Sequence, residues 1–211
     1  MIGFNFARQR MVDTQLRARG ISDARILDAM LRVPRHEFVP EALRAEAYED
    51  HPLPIGDGQT ISQPYVVAVM LELLELTSTS TVLEIGTGSG YVTALLGELA
   101  AQVSSIERHA DLASNARTIL AALGYANVHI FTGDGTFGLP AHSPFDAIMV
   151  SAAAHEIPSA LLSQLREGGR MIIPVGSPES QQLQFVRMHN GQTLISVRDS
   201  VRFVPLISDR D

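Results

Sequence analysis

The chain has 211 residues, of which 45% are hydrophobic and 18% charged, as is typical of one soluble globular domain. It contains no cysteine and all 16 basic residues are arginine, which excludes disulfides, thiolate chemistry, the P-loop of NTPases and Schiff-base catalysis. The net charge of −7 has the wrong sign for a general nucleic-acid binder, and no apolar run approaches the roughly 18 residues of a membrane span. With no signal-peptide pattern either, we expect a cytoplasmic protein that binds neither nucleic acid nor membrane.

The N-terminal part predicts two consecutive helices. Residues 5–32 show apolar side chains at helical spacing on both sides of Gly20, and glycine after an arginine-rich turn is typical of a helix end. Ser22 or Asp23 is placed to cap the second helix, since both side chains accept hydrogen bonds from free backbone N–H groups.

A loop follows, and then the pattern changes. Residues 51–60 are rich in Pro and Gly and predict a long loop of the kind that is often functional. Pro64 opens a helix over residues 64–76. From Thr81 onward short strands alternate with helices, which indicates a doubly wound parallel α/β sheet with helices on both faces. The predicted strands are residues 81–85, 102–106, 127–131, 145–150 and 171–175, and the helices are residues 91–100, 112–123 and 157–165.

The last part predicts antiparallel strands at one edge of this sheet. Asn190-Gly191, between residues 183–188 and 194–204, is a strong signal for a β-hairpin. We expect all of residues 1–211 to form a single domain. Its three parts are the N-terminal helices and loop, the ligand-binding core and the C-terminal hairpin, at residues 1–76, 77–180 and 181–211.

The strongest local pattern is a glycine-rich turn after the first predicted parallel strand. Gly86, Gly88 and Gly90 allow a sharp turn into the next helix and let a ligand lie against the main chain. Their Gly-x-Gly-x-Gly spacing differs from the Gly-x-Gly-x-x-Gly of the dinucleotide fingerprint. The next strand ends in Glu107, whose carboxylate is placed to accept hydrogen bonds from both hydroxyls of a ribose.

The third strand ends in Asp134-Gly135, which is placed to reach an adenine amino group, so these strand ends together predict a nucleoside site. No Arg or Lys occurs between Arg44 and Arg108, a stretch with nine carboxylates, and this favours a cationic ligand. S-Adenosylmethionine carries a sulfonium and an ammonium. Glu84 is placed to meet that charge, with a solvated strand-end carboxylate as the alternative. The pattern favours this methyl donor over NAD.

Short motifs along the chain occur in the order typical of one enzyme family. The most diagnostic is Gln59-Thr60-Ile61-Ser62-Gln63-Pro64. The others are Arg10-Met11-Val12, Val33-Pro34-Arg35, Phe38-Val39-Pro40, Ala47-Tyr48, Pro144-Phe145-Asp146, Gly168-Gly169-Arg170, Pro174-Val175-Gly176 and Phe203-Val204-Pro205-Leu206. Over nearly its whole length the chain thus resembles the protein-L-isoaspartate O-methyltransferase family.

This resemblance implies a Rossmann-like class I S-adenosylmethionine-dependent methyltransferase with an N-terminal helical extension. It implies transfer of a methyl group from S-adenosylmethionine to the free α-carboxylate of L-isoaspartyl residues in damaged proteins and peptides, with S-adenosylhomocysteine as the product. No metal is expected, since the histidines do not occur at metal-ligand spacing.

The resemblance also implies roles for individual residues. Ser62 is expected to donate a hydrogen bond to the substrate carboxylate, while Gln59 and Thr60 line the cofactor site. Val204 and Leu206 are expected to form, with this loop, a groove that holds an extended peptide by main-chain bonds. Capping of the following helix is the alternative for Ser62.

Other functions remain open on the sequence alone. One is a methyltransferase of the same fold that acts on another carboxylate or on a small molecule, and another is a non-catalytic adenosine-binding protein. An NAD oxidoreductase is the least favoured, because the fingerprint spacing and an obvious proton donor are both missing.

Overall fold

In the computed structural model, which describes residues 3–209, the chain forms six α-helices and nine β-strands. The helices are α1 (Phe4–Met11), α2 (Ala24–Arg32), α3 (Pro64–Leu74), α4 (Tyr91–Leu99), α5 (Ala110–Ala122) and α6 (Ser159–Leu162). The strands are β1 (Leu53–Gly56), β2 (Gln59–Ile61), β3 (Thr81–Ile85), β4 (Gln102–Glu107), β5 (Val128–Thr132), β6 (Phe145–Val150), β7 (Leu165–Ser177), β8 (Ser180–His189) and β9 (Gln192–Val201).

Seven strands form one sheet in the order β5-β4-β3-β6-β7-β8-β9. The first five are parallel and the last two antiparallel, which confirms the doubly wound fold with an antiparallel edge. The chain runs from β3 outward to β5 and then returns to β6 on the other side of β3. Such a reversal leaves a crevice at the carboxyl ends of the strands, where open α/β sheets bind ligands.

Apolar clusters fill the space on both faces of the sheet. The larger one joins the N-terminal helices to α3 and α4 and includes Met30, Leu71 and Val82. The second covers the opposite face and includes Leu83 and Ile148. Val82 and Leu83 belong to different clusters because successive side chains of a strand point to opposite faces. Within residues 3–209 no helix is both long enough and apolar enough to cross a membrane.

The structure confirms the prediction of two N-terminal helices separated by Gly20. After α1 the chain passes through a π turn and a 3-10 turn to Gly20, whose φ of +98° lies in the left-handed region. Of the two candidate caps for α2, Asp23 is the one used, since its carboxylate accepts a hydrogen bond from the backbone N–H of Arg25.

Two predicted elements differ from the structure. Residues 51–60 are not an open loop, because β1 and β2 pair as a hairpin across a turn with positive φ at Asp57 and Gly58, and Asp-Gly is a hairpin signal. The helix predicted over residues 157–165 is reduced to α6. Leu165 already pairs with Phe145 of β6, so the chain leaves the helix there and β7 begins earlier than predicted.

Candidate active site

A cavity, here called the strand-end cavity, lies against the glycine-rich loop that follows β3. Gly86 and Gly88 line it with φ angles of +90° and +52°, which favour glycine. A Cβ at Gly88 would lie 3.3 Å from the side chain of Ile55, so the β1–β2 hairpin covers this loop closely. Gly90 does not line the cavity. It precedes α4 at a φ of +90°, and a Cβ there would lie 3.1 Å from that of Ala116 in α5.

Glu107, at the end of β4, lines the same cavity and holds the loop. Its carboxylate accepts hydrogen bonds from the backbone N–H of Gly88 at 2.8 Å and of His109 at 2.9 Å. Each carboxylate oxygen has a second lone pair, so the group can accept two further hydrogen bonds while it keeps these two. A pair of neighbouring hydroxyls, such as those of a ribose, matches this arrangement.

Glu84 lies beneath the loop rather than on the wall of the strand-end cavity. It is fully buried, and its Oε2 accepts hydrogen bonds from Thr93 and Ser105, both at 2.6 Å. The Ser105 hydroxyl in turn lies 2.5 Å from that of Thr87, which lines the cavity. This corrects the expectation that Glu84 meets the ligand's charge directly, because Glu84 does not line the cavity and, among the described residues, two hydroxyls connect its carboxylate to the cavity wall.

Burial raises the pKa of Glu84 to about 8, against the lowering effect of the bonds from Ser105 and Thr93. Between the ordinary carboxyl pKa and about 8 only the folded state holds this proton, so the free energy of unfolding falls as pH rises through that range. We expect Glu84→Gln, which is neutral at every pH, to raise the Tm by at least about 3 °C at pH 8.5 and to leave it nearly unchanged near pH 4.5. Thermal denaturation at both pH values measures this, and an equal Tm difference at both would contradict it.

Gly135 and Asp134 follow β5, but only the glycine lines the strand-end cavity. A Cβ at Gly135 would lie 2.5 Å from Ile85 Cγ2, so any side chain there would push into the floor of the cavity. The Asp134 carboxylate accepts hydrogen bonds from Thr136 and from the backbone N–H of Asp209 at 2.8 Å. Burial acts to raise its pKa, but these bonds outweigh it and hold the pKa below the ordinary value. Asp134 thus anchors the chain beyond β9 and does not line the strand-end cavity, although the sequence predicts that it reaches an adenine amino group.

The hairpin and the segment after it also contribute to the wall of the strand-end cavity. Gln59, Thr60 and Ser62 all line the strand-end cavity. The Ser62 hydroxyl has no hydrogen bond within the described residues, and the residue that caps α3 is Gln63, whose side chain makes no capping bond. The alternative interpretation of Ser62 as a helix cap is therefore not supported, and its hydroxyl is available to a ligand.

Residues 204–206, after β9, complete the cavity. The backbone N–H of Ala153 donates to the carbonyl of Val204 at 2.8 Å, and that of Leu206 donates to the carbonyl of Ala153 at 2.7 Å. These bonds hold the segment in which Val204 and Leu206 line the strand-end cavity, as Ser62 does, and the groove for an extended peptide stays a prediction.

A second cavity of about 570 Å³, here called the outer cavity, adjoins the first. Thr60, Ser62, Ser151 and Val204 line both. Ser62 therefore stands where a molecule in one cavity can meet a molecule in the other. Arg202 is the one charged residue among the described residues that line the outer cavity.

Sequence reasoning missed Ser151, Tyr91 and Arg202 as lining residues. Ser151 directly follows β6, so the strand-end rule that identified Glu107 would have found it. Arg202 carries no such signal, because its position depends on how the chain turns after β9. In the part of the chain that the structure describes, no group of three or more His, Asp and Glu side chains is placed to hold a metal ion.

Comparison with known proteins decides the family. A family model described as protein-L-isoaspartate(D-aspartate) O-methyltransferase matches residues 7–211. The chain belongs to the protein-L-isoaspartate O-methyltransferase family. A relative of that name from Koribacter versatilis is 56% identical over 210 residues, which cover 100% of this chain and 95% of the relative.

Solved structures agree with this family. One named protein-L-isoaspartate O-methyltransferase superimposes with a TM-score of 0.86 at 30% identity and covers 96% of this chain, which spans 66% of it. A Plasmodium falciparum structure, described as a protein-L-isoaspartate O-methyltransferase in complex with S-adenosyl-L-homocysteine, gives a TM-score of 0.82 at 28% identity, with 95% and 98% coverage. The seven-stranded sheet with its glycine-rich turn is therefore a methyltransferase sheet of this family.

Proposed function

We propose that this protein transfers a methyl group from S-adenosylmethionine to the free α-carboxylate of L-isoaspartyl residues in damaged proteins and peptides. The observation that carries the proposal is the meeting of two cavities at Ser62. A methyltransferase needs a cofactor site and an acceptor site that touch at one point, and family membership supplies the identity of both ligands.

The residues of the strand-end cavity fit S-adenosylmethionine. Glu107 offers free lone pairs to a ribose, and the apolar side chains of Ile85 and Ile106 line the same cavity and would contact a flat ring. The main chain at Gly86 and Gly88 would lie against the amino-acid portion, and Gln59 and Thr60 would cover the cofactor from the hairpin side. The homologue from Plasmodium falciparum in complex with S-adenosyl-L-homocysteine supports this cofactor.

The reaction needs little acid–base machinery. A carboxylate with an ordinary pKa is ionised at pH 7, so no base has to remove a proton. When the cofactor is bound, a carboxylate oxygen forms a bond to the methyl carbon as the carbon–sulfur bond breaks, and the electron pair of that bond stays on sulfur. What the chain contributes is positioning, in which the Ser62 hydroxyl donates a hydrogen bond to the carboxylate, and exclusion of water by residues 204–206. The resulting ester can close to a succinimide, whose hydrolysis returns some normal aspartyl residues.

The direct test is transfer of labelled methyl from S-adenosylmethionine to two peptides that differ only in Asp or L-isoAsp. We expect base-labile label on the isoAsp peptide alone, and S-adenosylhomocysteine, but not NAD, should raise the Tm. Label on neither peptide, with S-adenosylhomocysteine binding intact, would instead indicate a methyltransferase of the same fold with another carboxylate or a small molecule as acceptor.

Arg202 predicts that the acceptor site binds anionic peptides better than uncharged ones. The side chain forms no ion pair within the described residues and lines the cavity in which an anionic peptide would lie. We expect Arg202→Ala to raise the KM for an isoaspartyl peptide about five-fold at low salt, with a smaller effect in 0.5 M NaCl, because exposed charges are screened. Arg198 is the matched control, since it stacks on Phe185 of β8 and lines neither cavity. Equal effects of Arg198→Ala and Arg202→Ala would contradict a specific role.

Two further features remain predictions from the sequence. A cytoplasmic location is one of them. The other is organisation as a single domain, which we infer from the strand-end cavity, because segments at residues 59–62, 85–89, 106–109 and 204–207 all contribute to its wall.

A further inference from the structure

Arg35 is a fully buried arginine that contacts the Ser62 segment. It begins the 3-10 turn Arg35–Phe38 after α2, and none of the described residues forms an ion pair with it. Its Nε donates to the carbonyl of Ala47 at 2.7 Å, and its Nη2 donates to the carbonyl of Ser62 at 2.8 Å. The guanidinium carbon lies 4.8 Å from the ring centroid of Tyr91, which lines the strand-end cavity.

A buried cation is costly when no carboxylate pairs with it directly, so the presence of Arg35 calls for an explanation, even though the charge of Asp50 acts to raise its pKa. Burial lowers the pKa of Arg35 to about 10, which still leaves the side chain charged at neutral pH. Two carbonyl oxygens and an aromatic face offset part of the cost of desolvation. An apolar side chain of similar volume would avoid that cost altogether. It could not bond to the two carbonyls, and those bonds are what the arginine adds to this site.

The Ser62 carbonyl needs such a donor because α3 does not supply one. The helix begins at Pro64, which has no N–H, and its first main-chain bond runs from Val67 to the carbonyl of Gln63. Asp50, three residues after Ala47, accepts a hydrogen bond from the side-chain amide of Gln63 at 2.8 Å. The main chain at Ser62 and the side chain at Gln63 are thus held from one side by Arg35 and residues 47–50, which we call the brace.

We propose that Arg35 is a positioning residue, whose guanidinium fixes the main chain at Ser62 and so directs the Ser62 hydroxyl to the point where the two cavities meet. The expected loss of kcat rests on the proposed function. The constraint on the main chain at Ser62 does not depend on which acceptor is used. Loss of the guanidinium frees the Ser62 carbonyl, and the hydroxyl then samples orientations that do not reach the acceptor.

Arg35→Gln, Arg35→Lys and the control Arg25→Gln test this. Arg25 also bonds two backbone carbonyls, those of Leu76 and Leu99, but lines neither cavity. Hydrogen exchange should show faster deuterium uptake over residues 59–63 in Arg35→Gln and no change there in Arg25→Gln. With the isoAsp peptide we expect kcat to fall at least 10-fold in Arg35→Gln, Arg35→Lys to recover part of it, and the Kd for S-adenosylhomocysteine to change less than three-fold. Arg25→Gln should lower the Tm with less than a two-fold change in kcat.

Unchanged exchange over residues 59–63 in Arg35→Gln would overturn the proposal, as would equal losses of kcat in the Arg35 and Arg25 variants. If Arg35→Gln does not fold, Arg35→Lys is compared with Arg25→Lys by the same two measurements, and the same outcomes decide. A wild-type protein that labels no isoAsp peptide would overturn the proposed function, whereas the exchange measurement would still test the brace.

Discussion

Replacing Ser62 by alanine is expected to lower kcat for an isoaspartyl peptide by about 10- to 100-fold, the range for loss of one hydrogen bond to a charged group. The Kd for S-adenosylhomocysteine should change little, because Ser62 stands at the acceptor end of the strand-end cavity, where it meets the outer one. The Tm should also stay close to that of the wild type, since the hydroxyl makes no hydrogen bond within the described residues. Steady-state kinetics, calorimetric titration and thermal denaturation measure the three quantities.

Ser151→Ala is the matched control for Ser62→Ala. Ser151 is the other serine that lines both cavities, so it presents the same chemical group to the same space. Its main chain is held by β3, through a bond from its N–H to the carbonyl of Ile85, and no arginine among residues 3–209 bonds to it. We expect the smaller loss of kcat for Ser151→Ala. A larger loss of kcat for Ser151→Ala than for Ser62→Ala would indicate that Ser151, rather than Ser62, contacts the acceptor.

Glu107→Gln is expected to raise the Kd for S-adenosylhomocysteine by about 100-fold. The substitution removes the charge that strengthens hydrogen bonds from a ribose. It also replaces one acceptor oxygen by a donor, so the bonds from Gly88 and His109 cannot both persist. Calorimetric titration with S-adenosylhomocysteine measures the change without any need for an acceptor peptide.

Glu98→Gln provides the matched control for this second variant. Glu98 on α4 also accepts two hydrogen bonds, from Tyr125 and Arg32, and it lines neither cavity. The same change of charge there should leave the Kd within two-fold of the wild type. An equal loss of affinity in both variants would mean that net charge, rather than the carboxylate at the end of β4, governs cofactor binding.

The half of the site made by the sheet could be predicted from the sequence because its residues directly follow strands that the sequence pattern identifies. Parallel strands end at the same edge of a sheet, so Gly86, Gly88, Glu107 and Gly135 had to lie close together once the strands were identified. The rule failed for side-chain direction. Glu84 lies one residue before the last position of β3 and points into the apolar layer under α4, a choice that depends on which face of the strand packs there.

The other half of the site could be predicted only through the family resemblance. Val204 and Leu206 reach the cavity through bonds to Ala153, which lies about 50 residues earlier, and no periodic pattern encodes such a contact. Arg35 reaches Ser62 across 27 residues, and a motif with an arginine gives no sign of burial. Contacts of this kind follow from the packing of the whole chain, so residue order alone could not reveal them.

The brace also determines what the protein's own chromophores report. The chain has no tryptophan and four tyrosines, of which one, Tyr48, belongs to the brace and two others lie next to it. The Tyr91 ring faces Arg35, the Tyr48 hydroxyl contacts His36 beside it, and the Tyr65 ring lies 3.3 Å from the guanidinium carbon of Arg19, which pairs with Asp50. With no tryptophan in the chain, three of the four tyrosines that contribute to the near-ultraviolet circular dichroism lie in this one region. We therefore expect movement near Ser62 to change the tyrosine signal without a change in the far-ultraviolet signal, and no label is needed to measure it.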